Sequence, residues 1–138
     1  LVDIRRFYRL ILFNFITLND DAHLKNFSLI ERNGEYRLSP AYDLINTSLQ
    51  LRNPRIFALD KGLFKEGMKL SDTRTICRSD FVEFGKRIGL QERVIQQELK
   101  NFSTVQPMVK ELLERSFLSA ELKEHYYLSY KYRCLMLR

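Results

Sequence analysis

The apolar positions change period several times along the chain. Ile4, Phe7 and Tyr8, Ile11, Phe15 and Leu18 recur at helical spacing, with Arg5, Arg6 and Arg9 interrupting the first half. The pattern predicts a helix over residues 1–17 whose second half, apolar nearly all round, lies deep in a core. Residues 19–26 break the pattern with a polar cluster. Residues 27–31 and 35–38 then read as two short strands around Arg32-Asn33-Gly34-Glu35. Asn-Gly is a strong hairpin signal, because a tight two-residue turn needs positive φ at both central positions. Pro40 ends the second strand, and residues 42–49 suggest a short helix.

Residues 50–78 carry no clear period and read as extended or irregular. Helical spacing returns at 80–88, with Asp80 as N-cap, Glu83 completing a capping box and Gly89 as terminator. Further helices are predicted over 91–102 and 105–116, the latter with Pro107 near its start. A last helix, capped by Ser119, runs to about residue 137. The chain shows no repeats, low-complexity tracts or obvious linkers. The fold class expected is mainly α, with one small β-hairpin beside the polar cluster.

Composition narrows this picture without redirecting it. A chain of 138 residues, 45% hydrophobic, suits one domain. The net charge of +6 permits an anionic ligand but is ordinary for solubility. Cys77 and Cys134 stand in no CxxC pattern; free thiols and a reducing, cytoplasmic setting are expected. The apolar run over residues 10–18 is too short to cross a bilayer, so no membrane association is expected. The chain opens on Leu inside a helix, which reads as a piece of a longer protein.

The candidate chemistry lies in Asp21, Asn26 and Asp43. Phosphoryl transfer needs a carboxylate near the attacking hydroxyl and oxygen ligands for Mg²⁺ beside the phosphates. An aspartate, an asparagine five residues on, a hairpin and a second aspartate can supply these, the hairpin bringing Asp43 back beside Asn26. Gly62 to Lys69 has the glycine spacing of a phosphate loop, but Met68 stands where that loop needs Lys, so it reads as loop glycines. The histidines and cysteines are too scattered for zinc. The aromatic tail from His125 to Arg133 reads as an amphipathic helix in preference to a nucleic-acid surface.

The segments "NDDAHLKNFS" and "LSPAYDL" resemble the HipA family, bacterial serine/threonine kinases of toxin–antitoxin systems. Asn19, Asp21, His23, Lys25 and Asn26 match its N-x-D-x-H-x-K-N loop, and Tyr42-Asp43-Leu44 its Y-D-[LV] segment. "DFVEFGKRIGL" and "SFLSAELKEHYYLSY" are similar to its C-terminal helices, so the resemblance covers essentially residues 1–138. It implies a protein-kinase-like C-terminal lobe using ATP and Mg²⁺, with Asp21 as catalytic base and Asn26 and Asp43 holding the metal. Lys25 would face the γ-phosphate or stand in solvent, His23 and Asn19 would shape the loop, and Asp20 would be a solvated surface acid.

No Gly-rich loop or strand lysine precedes residue 19, so the N-terminal kinase lobe is an expected missing partner and this piece alone is expected to be inactive. A protein substrate, a helix-turn-helix antitoxin and indirect DNA contact through it are implied by the resemblance. Two alternatives stay open: a small-molecule or lipid kinase lobe, and a non-catalytic module that binds an antitoxin or DNA.

Overall fold

The computed structural model describes residues 2–50 and 76–138. The order of regular elements is helix α1 (Val2–Ile16), strands β1 (Leu29–Arg32) and β2 (Glu35–Leu38), and helices α2 (Arg78–Arg87), α3 (Glu92–Ser103), α4 (Pro107–Arg115) and α5 (Ala120–Met136). The architecture is mainly helical with one antiparallel hairpin, as the sequence periods predict. The segment read as irregular, and the glycine-spaced stretch within it, lie almost wholly outside the described residues.

Helix α1 is the centre of the packing. It lies against α3, α5 and β2, while α2 packs on α3 and α5 on both α3 and α4. Its Tyr8, Ile11, Leu12 and Phe15 are fully buried, among Phe81 and Phe84 of α2, Ile95 and Leu99 of α3, and Tyr130 and Cys134 of α5. Phe15 meets Phe81 edge-on at 4.9 Å between ring centres, a favoured aromatic geometry. Gly85 lets α2 approach α3: a Cβ built there would lie 2.7 Å from Ile95 Cγ1. A buried carboxylate, Glu98, ties α3 to α1 by accepting from Arg5 Nε at 2.7 Å, and it lies 3.4 Å from Arg9 Nε.

The hairpin pairs Leu29 with Leu38 and Arg32 with Glu35. Asn33 and Gly34 take φ of 55° and 79°, the left-handed pair that a two-residue turn demands. Its strands are largely solvent-exposed. It is anchored at its base, where Phe27 meets Phe7 edge-on at 5.1 Å and Ser39 N donates to Ser28 O at 2.8 Å. Phe27 turns into the core, so the regular strand begins two residues later than the apolar pattern predicts.

Two local expectations need correction. Residues 42–49 form no helix beyond a 3₁₀ turn at Thr47–Leu49. Asp43 has φ 53° and Asn46 is extended, and neither conformation can propagate a right-handed helix. Helix α2 begins at Arg78, with Cys77 and not Asp80 as N-cap. Asp80 Oδ2 instead accepts from Cys77 N at 2.8 Å, the returning half of a capping box, and Glu83 pairs with Arg87 at 2.7 Å. Gly89, at φ 84°, ends α2 as the sequence predicts: Gly89 N reaches Lys86 O and Leu90 N reaches Gly85 O, both at 3.0 Å. Pro107 opens α4, and Ser119 Oγ accepts from Leu122 N at the start of α5.

Candidate functional site

The polar cluster begins where α1 ends. Leu18 takes φ 57°, Leu18 N reaches Phe15 O at 3.4 Å and Asn19 N reaches Asn14 O at 3.0 Å. This is the hydrogen-bond pattern of a glycine-type helix terminator with leucine in the left-handed position, a conformation costing roughly 1–2 kcal/mol for a residue with a Cβ. The chain leaves the helix sharply, and Asn19 and Asp20 turn inward and are buried.

Asn19 is the hub of the cluster. Its Nδ2 donates to Asp43 O at 2.8 Å and to Asn14 Oδ1 at 3.2 Å, and its Oδ1 accepts from Asp21 N at 3.3 Å. The lone polar residue of the first helix's apolar run, Asn14, thus has a structural partner inside the cluster. Asn19 shapes the loop, as its sequence position implies.

Asp20 departs from expectation. It is not a solvated surface acid but is 8% exposed. Its N donates to Thr47 Oγ1 at 3.0 Å, and the Thr47 hydroxyl donates to its Oδ1. The buried guanidinium of Arg133 on α5 sits over the Phe15 ring at 4.7 Å. Burial pushes the Arg133 pKa down to about 10.

Asp21 and Asp43 are exposed and Asn26 is half-buried. A 3₁₀ turn at Leu24–Asn26 returns the chain so that Asn26 Nδ2 reaches Asp21 O at 2.9 Å and Asp43 Oδ2 at 3.0 Å. One carboxamide therefore joins the backbone of the first aspartate to the side chain of the second. Asn26 Oδ1 makes no hydrogen bond among the described residues. Tyr42 OH adds a second tie, donating to Lys25 O at 3.2 Å and lying 2.7 Å from Ser28 Oγ. His23 Nε2 is 4.0 Å from Asp21 Oδ1, an ion pair only when the ring is protonated. The Lys25 side chain is exposed and makes no hydrogen bond or ion pair among the described residues.

The arrangement is an open surface constellation. A groove of about 300 Å³ runs beside it between α1 and residues 38–44, lined by Arg6, Phe13, Leu38 and Phe102 and reaching Leu44, the neighbour of Asp43. Among the described residues no three His, Cys, Asp or Glu side chains gather as a metal site. Asp43 and Asn26 carry a carboxylate and a carboxamide oxygen, hard donors of the type that suits Mg²⁺, which takes one or two protein ligands and completes its shell with phosphate and water; here Asn26 turns its Nδ2, not its Oδ1, toward Asp43. The donor chemistry fits that ion. Thr47, Asn14 and Arg133 were not legible as site neighbours. Only the polar break at Asn14 in an apolar run carried a signal.

With this geometry in view, the comparisons with known proteins place the chain. The family model of the HipA-like C-terminal domain matches residues 1–109, and the chain belongs to that family. A Haemophilus influenzae protein named "Putative kinase" is 36% identical over 104 residues, a match covering 69% of this chain and 30% of that protein. The structure is similar to HipA in the Shewanella oneidensis complex of HipA, HipB and operator DNA, with a TM-score of 0.62 at 19% identity over 94% of this chain and 30% of that one. The chain thus spans about a third of the length of both relatives. Among the described residues, no helix is long and apolar enough to cross a membrane.

Proposed function

We propose that the chain carries the phosphoryl-transfer site of an ATP-dependent serine/threonine protein kinase of the HipA type. The observation that supports this most is the Asn26 carboxamide, bound at once to Asp21 O and Asp43 Oδ2. It holds together the three residues whose chemistry the reaction needs, while leaving the Asp21 carboxylate exposed to an incoming substrate.

In this reading the Asp21 carboxylate accepts the proton of a protein serine or threonine hydroxyl. The hydroxyl oxygen bonds to the γ-phosphorus of ATP, and the bond from that phosphorus to the β–γ bridging oxygen breaks to release ADP. Asp43 and, once its carboxamide turns over, Asn26 Oδ1 would hold Mg²⁺, which would neutralise charge on the phosphate oxygens. Lys25, unpaired among the described residues, would add a positive charge beside the γ-phosphate. His23 steadies the loop next to Asp21. The remaining nucleotide contacts would come from an N-terminal lobe, which the relatives have the length to hold. The proposal extends to an antitoxin partner, with DNA contact through it, of the kind seen in the Shewanella complex of HipA, HipB and operator DNA.

The test is transfer from γ-labelled ATP by the full-length gene product with Mg²⁺. Label should enter protein serine or threonine, and Asp21→Ala should slow it by about 10²–10⁴-fold. Label confined to a small molecule or lipid would replace the protein-kinase reading. No transfer at all would leave an interaction module.

A further inference from the structure

Asp20 stands between two residues of the proposed site machinery, yet its side chain turns away from the open cleft into the protein. Burying a carboxylate is costly unless it is paired and hydrogen-bonded. Here the partner is Thr47, four residues beyond Asp43. The threonine clasps the start of the loop in several ways: Thr47 N donates to Leu18 O at 3.2 Å, Oγ1 lies 3.1 Å from the same oxygen, Asp20 N donates to Oγ1 at 3.0 Å, and the hydroxyl meets Asp20 Oδ1. A hydroxyl has one proton, so Leu18 O and Asp20 Oδ1 compete for it while Asp20 N fills its acceptor side.

The clasp is placed to matter. Asp21 follows Asp20 directly, and Asp21 O holds the Asn26 carboxamide. On the other segment, Asp43 sits at φ 53°, a left-handed conformation that aspartate tolerates better than most residues with a Cβ. Two ties flank it: Asn19 on the Asp43 carbonyl, and Asp20 on Thr47.

We propose that Asp20 is a positioning residue of the phosphoryl-transfer site, setting through Thr47 the separation between the loop of Asp21 and Asn26 and the segment of Asp43. The inference rests on the function proposed above. It makes Asp20 neither base nor ligand: it fixes where those groups stand, and a misplacement on the order of 1 Å can cost about 10²-fold in rate.

The experiment compares Asp20→Asn, Thr47→Val and Thr47→Ser in the full-length gene product. It reads turnover per folded molecule, apparent KM for ATP, thermal midpoint, and amide hydrogen exchange of peptides spanning residues 18–26 and 42–49. Thr47→Val should lower kcat at least tenfold with KM for ATP within about twofold. Both peptides should exchange faster together, while peptides from α3 keep their rates. Thr47→Ser, which retains the hydroxyl, should restore both readouts, and Asp20→Asn should fall between the two.

A lowered thermal midpoint with unchanged kcat per folded molecule would reduce Asp20 to a core-packing residue and overturn the proposal. So would exchange that rises in only one of the two peptides. A wild-type protein without transfer defeats the phosphoryl-transfer reading itself and the proposal with it. The two failures are distinguished because the exchange coupling is read independently of turnover.

Discussion

Asn19 Nδ2 holds the main-chain oxygen of Asp43 at 2.8 Å, across 24 positions of sequence. The same buried carboxamide binds Asn14 and Asp21 N, so the end of α1, the polar loop and the segment after the hairpin meet at one side chain. Asn19→Ala strips all three groups of their partner. Leaving buried polar groups unpaired costs roughly 1–3 kcal/mol. Urea denaturation should show a loss of that size, and an unchanged midpoint would mean that solvent satisfies the three groups equally well.

At Gly85 the helix-propensity rule and packing disagree. Alanine is favoured over glycine by about 1 kcal/mol in a helix. The added methyl would sit 2.7 Å from Ile95 Cγ1, 2.8 Å from Ile95 Cδ1 and 3.2 Å from Tyr8. Overpacking on the order of 1–3 kcal/mol should win, and Gly85→Ala should lower the thermal midpoint. In the double variant Gly85→Ala, Ile95→Ala, the effects should be less than additive, because the second change removes the clashing atoms. Full additivity would argue that α2 and α3 simply move apart.

These contacts mark how far the sequence reaches. The Asn33-Gly34 turn, the Gly89 terminator, Pro107 at a helix start and the Ser119 cap are legible because each is decided within a few neighbouring residues. The fate of residues 42–49 is not. Their pattern suits a helix, but Asn19 and Asn26, far back in the chain, hold Asp43 in a left-handed conformation that stops one. Asp20 reads as a surface acid because Thr47, which binds it, lies 27 positions away. Of the candidate site, the nearness of Asn26 and Asp43 was foreseeable from the hairpin between them, whereas the buried ties that hold them carry almost no local signal.

The ion pairs between α1 and α3 should respond unequally to deletion. Glu98 is 1% exposed and the Arg5 side chain is half exposed. Removing both arginines, as Arg5→Leu with Arg9→Leu, leaves an uncompensated buried carboxylate. Glu98→Leu leaves two cations already in contact with solvent. The first change should cost about 3–5 kcal/mol and the second clearly less. The comparison requires only chemical denaturation curves, and equal losses would contradict it.

Alkaline pH should unfold the chain through its buried tyrosines. Burial raises the Tyr8 pKa strongly and pushes that of Tyr130 up to about 12. An unfolded tyrosine loses its proton near 10. Between these values the folded state binds more protons than the unfolded one, so stability falls as pH rises. The contribution is fully present below pH 10 and is lost as pH climbs through 12. Unfolding free energy measured from pH 8 to 11.5 should decline above 10, and more gently in Tyr8→Phe, which gives up the hydrogen bond to Phe81 O but cannot ionise.

Asp43→Asn separates charge from shape. Asparagine tolerates the left-handed conformation as well as aspartate does, and its side-chain oxygen can still accept from Asn26 Nδ2. Folding stability should remain within about 0.5 kcal/mol of the parent, while Mg²⁺-dependent transfer by the full-length gene product should fall to background. A stable variant that retains transfer would remove Asp43 from the metal site.

The most direct measurement uses Mn²⁺ as a paramagnetic substitute for Mg²⁺ on the isotopically labelled 138-residue chain. Two-dimensional amide NMR spectra, recorded with and without ATP, locate the ion by line broadening. Broadening should saturate and centre on the Asn26 side-chain amide and the backbone amides of Asp43 and Leu44, and Asp43→Asn should abolish it. Broadening centred elsewhere, or an unchanged pattern in Asp43→Asn, would contradict a phosphoryl-transfer site built on Asp21, Asn26 and Asp43.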